Sequence, residues 1–335
     1  MIAREKNQKD GELTMKRMIL AAATAAILAI GVAGPGSGGA RAEQFVNVLT
    51  GGTSGVYYPL GVALTKIYAD KIAEARTAVQ STKASVENLN LLQQGRGEVG
   101  FSLGDSVAAA WEGDEEAGFK SKLTKIRGMA AIYPNYIQIV ARGDSGIKTL
   151  ADLKGKRISV GAPRSGTELN ARAIFKAAGL TYADFGKVEY LPFAESVELV
   201  KNRQIDATLQ SAGLGVASIR DLAATNPITI VPIPADVVTG VGNPVYVAEV
   251  IPAGTYDGQT QDVPTAAVVN FLVTHSGVSD DLVYQMTKSM YDNLGVLASA
   301  HATAKDIKLE TATKGMPIPL HPGAEKYFRE AGVLR

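Results

Sequence analysis

The chain has 335 residues, 46% of them hydrophobic, with 34 Lys and Arg against 33 Asp and Glu, a net charge of +1 at pH 7 with its three histidines neutral. That balance lacks the basic excess nucleic-acid binding requires. The absence of cysteine excludes disulfides, thiolate metal sites and cysteine nucleophiles together, and suits an oxidising compartment.

At the N-terminus, Lys16 and Arg17 precede an apolar run from Ile19 to Val32, a Gly/Pro/Ser stretch, and Ala40-Arg41-Ala42, the small-x-small form of a signal peptidase site. The run holds about a dozen apolar residues, short of the ~20 that span a bilayer. It predicts a signal peptide over 1–42, cleaved after Ala42, and a product exported to the periplasm. Translation from Met15 would shorten the charged stretch before the run, and a retained anchor is the competing reading. The remaining 43–335 carry 28 basic and 30 acidic residues, enough chain for two lobes.

From there, short β-branched runs alternate with amphipathic patterns, the signature of an α/β fold. Strands are predicted at 45–50, 98–103, 127–132, 136–142, 157–161, 187–191, 206–210, 228–231, 245–250 and 266–273. Helices are predicted at 58–75, 85–95, 105–112, 149–153, 167–178, 194–202, 215–224, 279–293, 296–301 and 323–331. Ser85 suits a helix N-cap, and Gly95 and Gly179 suit helix stops. The extended stretch Tyr136 to Arg142, followed by the turn Gly143-Asp-Ser-Gly146, suits a crossing between lobes, and Pro244 to Val250 a return. The domains are then 43–138 with 249–335 as lobe one and 139–248 as lobe two, hinged about a cleft.

Two segments run strand, Gly-rich hydroxyl-bearing loop, helix: Phe45 to Pro59 and Arg157 to Thr167. Each delivers free backbone N–H groups to a helix start, where anions are favoured. In the first, Thr53 and Ser54 can contact a ligand, Gly52 lets its backbone approach closely, and one of Tyr57 and Tyr58 lines the cleft while the other packs inward. In the second, Ser165, Gly166 and Thr167 can face one anion, or Ser165 can simply cap its helix. Arg164 either clamps a carboxylate or is solvated on a loop tip. Ser102, Asp105, Tyr133, Gln210 and Ser211 stand at strand ends, where α/β clefts are built. Asp105 receives a ligand ammonium group or caps the next helix.

Catalytic patterns are missing. His275, His301 and His321 are widely spaced, with no H-x-x-H or H-E-x-x-H arrangement, and neither a G-x-S-x-G elbow nor a Gly-Lys-Ser/Thr phosphate loop occurs. No enzyme, cofactor or metal is expected.

A set of segments carries a family resemblance: Gly51-Gly-Thr-Ser-Gly-Val-Tyr-Tyr-Pro-Leu-Gly61, Ala84-Ser-Val-Glu-Asn-Leu89, Ala141 to Lys156, Ser159-Val-Gly-Ala-Pro163, Ser165-Gly-Thr-Glu168 and Pro317-Ile-Pro-Leu-His-Pro-Gly-Ala324. In this order they resemble the TAXI family, the TRAP-associated extracytoplasmic immunogenic proteins. The resemblance implies a type II periplasmic-binding-protein fold and a monomeric receptor for a small organic acid or amino acid such as glutamate, glutamine or 2-oxoglutarate. It also implies delivery to a TRAP transporter membrane subunit, typically a fused one, and ligand loops on Gly52 to Tyr57 and Ser165 to Thr167. Arg164 and Gln210-Ser211 depart from the family pattern. A sensory receptor for a membrane kinase and a cofactor-precursor-processing enzyme are the alternatives.

Overall fold

Alternating β-branched runs and amphipathic helices produce the expected α/β fold. A computed structural model describes residues 43–335; the signal-peptide reading of 1–42 lies outside the described residues. The strands are β1 (Gln44–Leu49), β2 (Ala75–Gln80), β3 (Val99–Leu103), β4 (Ile126–Arg142), β5 (Arg157–Ser159), β6 (Lys187–Glu189), β7 (Ala207–Ala212), β8 (Ile228–Val231), β9 (Val247–Ile251) and β10 (Val263–His275). The helices are α1 (Tyr57–Lys71), α2 (Ser85–Gln93), α3 (Gly104–Glu112), α4 (Gly166–Ala177), α5 (Phe193–Lys201), α6 (Ala217–Thr225), α7 (Ala235–Gly240), α8 (Asp280–Asp292), α9 (Leu294–Ala300) and α10 (Pro322–Glu330).

All ten strands join one curled mixed sheet ordered β2-β1-β3-β10-β4-β7-β5-β6, with β8 on β4 and β9 on β10. The order is used twice. The path β2-β1-β3-β10-β4 has a parallel trio followed by an antiparallel strand, and so does β6-β5-β7-β4-β8. The long strand β4 serves both halves, pairing with β10 up to Tyr136 and with β7 from Tyr136 onward.

That continuity corrects the predicted crossing. The chain passes between halves inside β4, and the Gly143–Gly146 turn follows within the second half, where the Gly143 amide donates to the Pro227 carbonyl at 2.8 Å. The strands predicted separately at 127–132 and 136–142 are one, because Pro134 sits beside a register shift opposite Val269–Phe271. An irregularity of the ladder accommodates a residue with no N–H.

Two elements escaped the sequence reading. The helix predicted to run to 75 stops at Lys71, and Glu74, left-handed at φ 60°, turns the chain into β2. A non-glycine residue in that conformation leaves no Gly or Pro stop signal. The short helix α7 was likewise unmarked.

Buried side chains gather into clusters on both halves. Leu60, Tyr68, Met286 and Phe328 belong to the largest, Ile158, Phe175 and Leu209 to the second-half core, and Leu92, Phe119 and Phe271 to a third. Each contributes about 1.5–3 kcal/mol of burial. No helix among the described residues is long and apolar enough to cross a membrane.

The seat of α1 on β1 positions the first glycine loop. At Gly61 an added Cβ would lie 2.4 Å from Thr50 Cγ2 and 3.2 Å from Val79 Cγ2, both on stiff β-branched side chains. Gly61→Ala should therefore lower stability by about 1–3 kcal/mol through overpacking, read as a lower urea midpoint at unchanged slope; an unchanged midpoint would refute the close fit.

His321 caps α10: its Nδ1 accepts from the Gly323 amide at 3.2 Å, so its Nε2–H donates to the Val278 carbonyl at 3.0 Å. That arrangement needs the neutral ring, and burial lowers its pKa below 6.5. Below about pH 6.5 the unfolded chain then binds the proton more readily, so the contribution of His321 is lost as pH falls toward its folded value. Buried Glu98 and Asp105, whose carboxyl pKa values burial raises, act in the opposite sense. The test is therefore a difference: between pH 7.5 and 5.5, wild type should lose more stability than His321→Asn, which keeps a capping oxygen. Equal losses would remove the histidine from the pH dependence.

Candidate functional site

Five of the six helices that follow the parallel strands begin at one place. The N-cap residues of α1 to α5 are Val56, Ala84, Leu103, Ser165 and Pro192, and every one lines a single cavity of about 280 Å³. Its wall is completed by residues 51–57, 81–85, 165–167, 192–195 and 211–212, with Asn135 on the crossing strand. This is the carboxyl edge of the sheet, where open α/β folds bind ligands. The volume holds about nine waters at ~30 Å³ each, the scale of a small metabolite.

Each helix start carries roughly half a positive charge. The amides of Thr53, Ser54, Ser85, Val86, Gly166 and Thr167 have no hydrogen-bond partner among the described residues. Four of the five first turns carry an acid, but three of these are engaged elsewhere. Glu87 accepts from the Lys83 amide at 2.6 Å, Glu168 pairs with Arg172 at 2.6 Å, and Asp105 is buried in a network of its own. Only Glu195 joins the wall, with Lys83 the one lining cation. The cavity is thus a field of neutral donors and positive helix ends, suited to an anion. Among the described residues no group of His, Cys, Asp or Glu side chains could hold a metal ion.

The structure brings together eight of the residues predicted to bind. Gly52, Thr53, Ser54, Tyr57, Ser165, Gly166 and Thr167 all line the cavity, joined by Ser211. Tyr57 does both jobs foreseen for a tyrosine pair: it lines the wall and is buried, stacked on Phe101 at 4.9 Å with its hydroxyl donating to Asn270 Oδ1, while Tyr58 is half-buried outside the wall. Burial raises the Tyr57 phenol pKa well above the usual 10. Ser165 caps α4, its Oγ accepting from the Glu168 amide at 3.1 Å, and also faces the cavity.

The other five lie off the wall. Arg164 is exposed at the loop tip, left-handed at φ 61°, so the lining cation is Lys83 instead. Ser102 is fully buried, its hydroxyl turned to the Leu103 carbonyl. Tyr133 is buried with its hydroxyl unpartnered, and Gln210 accepts from the Ser218 hydroxyl at 2.6 Å. Asp105 neither lines the cavity nor acts as an N-cap: Leu103 holds that position, and Asp105 accepts from Asn170, Tyr246 and Ser106.

Sequence reasoning missed the segments 81–85 and 192–195. The first follows the unrecognised strand β2. The second opens the predicted helix at 194, where a Pro before a helix was available as a signal.

A floor of amides underlies the wall. Asn270 on β10 donates to the Tyr133 carbonyl and to Asn135 Oδ1, each at 2.8 Å, and Asn135 donates to the Ser211 carbonyl at 3.0 Å. The chain from Tyr57 through Asn270 and Asn135 to Ser211 thus runs from the first half of the sheet to the second.

A model of the NMT1-like family matches residues 48–332. Among solved structures, the periplasmic aliphatic sulphonate binding protein of Escherichia coli is similar at 15% identity and TM-score 0.44, covering 77% of this chain and 79% of its own. The alkanesulfonate-binding protein of Xanthomonas axonopodis pv. citri, bound to MOPS, is similar at 16% identity and TM-score 0.48, covering 86% and 85%. A putative L-cystine ABC transporter protein of Listeria monocytogenes is similar at 14% identity and TM-score 0.49, covering 79% and 98%.

Replacing Ser165 by Ala removes the cap of α4 and should cost about 0.5–2 kcal/mol of stability, measured by chemical denaturation. A cost near zero would mean that the Ser165 hydroxyl is not engaged as a cap.

Proposed function

Because the chain belongs to the NMT1-like family and turns five helix N-termini onto one cavity, we propose that it is a periplasmic solute receptor. It captures a small carboxylate or amino acid, of the size of glutamate, glutamine or 2-oxoglutarate, and passes it to a membrane transporter without altering it. The convergence of helix starts on a wall with one lining cation is the observation that carries this reading. Unpaired amides hold a carboxylate without the desolvation cost of a buried counter-charge.

The two lobes are 43–138 with 249–335 and 139–248, and the hinge includes β4 where it passes from one half of the sheet to the other. Closure about that hinge encloses the ligand. The TAXI assignment, a TRAP membrane subunit as partner and a monomeric receptor are proposed on the segments from Gly51 to Ala324 that resemble that family. Lys83, in place of Arg164, is the side chain available to a second carboxylate.

The test is thermal unfolding of the protein, refolded to strip bound solute, against glutamate, glutamine, 2-oxoglutarate, succinate, short monocarboxylates and sugars. A solute at 100 times its Kd adds about 2.7 kcal/mol, a midpoint rise of several degrees. A shift with sugars and none with acids would overturn the anion reading. Thr167→Val, which strips a hydroxyl from the wall, should weaken the active acid by about 1–3 kcal/mol with folding intact; unchanged affinity would remove Thr167 from the contact.

A further inference from the structure

Ser211 occupies a position in the wall whose polarity is fixed from behind. Its hydroxyl lies 2.7 Å from Asn170 Oδ1 and donates to it. Asn170 is fully buried, and its Nδ2 lies 2.7 Å from Asp105 Oδ2 and 2.9 Å from the Tyr246 hydroxyl. The Tyr246 hydroxyl in turn donates to Asp105 Oδ2 at 2.6 Å, and the Ser106 amide donates to Asp105 Oδ1 at 2.6 Å.

Each link dictates the next. Four donor groups face the two Asp105 oxygens, counting the Ser106 hydroxyl at 3.3 Å, so Asp105 is the acceptor throughout this network and its donors oppose the burial that raises its pKa. The Asn170 amide must therefore turn its NH₂ to Asp105 and Tyr246, which leaves its oxygen toward Ser211. Ser211 must spend its only proton on that oxygen. Ser211 lines the cavity, and with that proton spent its Oγ keeps only lone pairs there, an acceptor beside the unpaired amides. Asn135, the other lining amide, has its oxygen taken by Asn270 and its nitrogen by the Ser211 carbonyl. Glu195 adds a second acceptor from α5, and it has no ion-pair or side-chain partner among the described residues.

We propose that the site reads a hydrogen-bond donor on its ligand, so that the solute is a carboxylate bearing an ammonium, amide or hydroxyl group near the anionic head rather than a 2-oxo acid. Ser211 is the contacting residue, and Asp105, Asn170 and Tyr246 are positioning residues acting through it. The inference rests on the small-anion reading and narrows its ligand class.

The test uses matched pairs that differ in donor against acceptor on one skeleton: glutamate with 2-oxoglutarate, 2-aminobutyrate with 2-oxobutyrate, and alanine with pyruvate. Titration calorimetry on the protein should show the amino member of the binding pair favoured at least about tenfold, the range of a charge-assisted hydrogen bond. Ser211→Ala should bring that ratio within about threefold, with the Tm of the unliganded protein lowered by a few degrees because the buried Asn170 Oδ1 loses its donor. Asp105→Asn, which lets the Asn170 amide reverse and Ser211 donate, should move the ratio toward the oxo acid. A purely structural network would weaken both members alike and leave the ratio unmoved. Equal affinity for the two members in wild type, or tighter binding of the oxo acid, overturns the polarity assignment and leaves the anion reading standing. Binding of no member of any pair, and of none of the other acids, overturns both.

Discussion

Everything about the cleft depends on how one long strand passes between two half-sheets without breaking. The strand β4 is common to both halves, and its ladder with β10 shifts register beside Pro134. At that point Asn270 supplies with its side chain the hydrogen bonds the ladder lacks, tying Tyr57, Tyr133 and Asn135 together. An unsatisfied buried amide costs about 1–3 kcal/mol, so this hub fixes the floor of the cavity in one arrangement. The loops above it then need only their own helix starts to be placed.

Those helix starts are a product of topology before they are a product of sequence. In each parallel trio the chain leaves the same edge of the sheet and enters a helix, so the helices α1 to α5 begin where the strands end. The doubled strand order brings two such edges face to face. Serine and threonine appear there because loops entering helices favour them, and a ligand inherits what capping does not consume.

The α/β class, most elements and the two glycine loops were legible because periodicity and helix-start chemistry are local. Gly52 to Tyr57 and Ser165 to Thr167 were found for the reason they now line the wall: hydroxyls and glycines ahead of an apolar helix. Side-chain direction was not legible. Asp105 and Gln210 stand at strand ends like true wall residues, yet both are drawn into hydrogen bonds behind the wall by partners 65 and 8 positions away. The strand β2 escaped because its boundary is written by Glu74 in a left-handed turn rather than by a glycine, and with β2 went the segment containing Lys83.

A wall whose donors belong to the main chain also has an evolutionary consequence. Substitution changes side chains but leaves the peptide N–H in place unless proline enters, so the proposed grip on an anionic head would persist through sequence drift. The few side chains beyond that grip, Ser211, Lys83, Glu195 and Phe193 among them, are free to vary and retune which molecule carries the anion. Under the proposed receptor role, descendants inherit a fixed anchor and an adjustable remainder, a division that lets new solutes be sampled without rebuilding the fold.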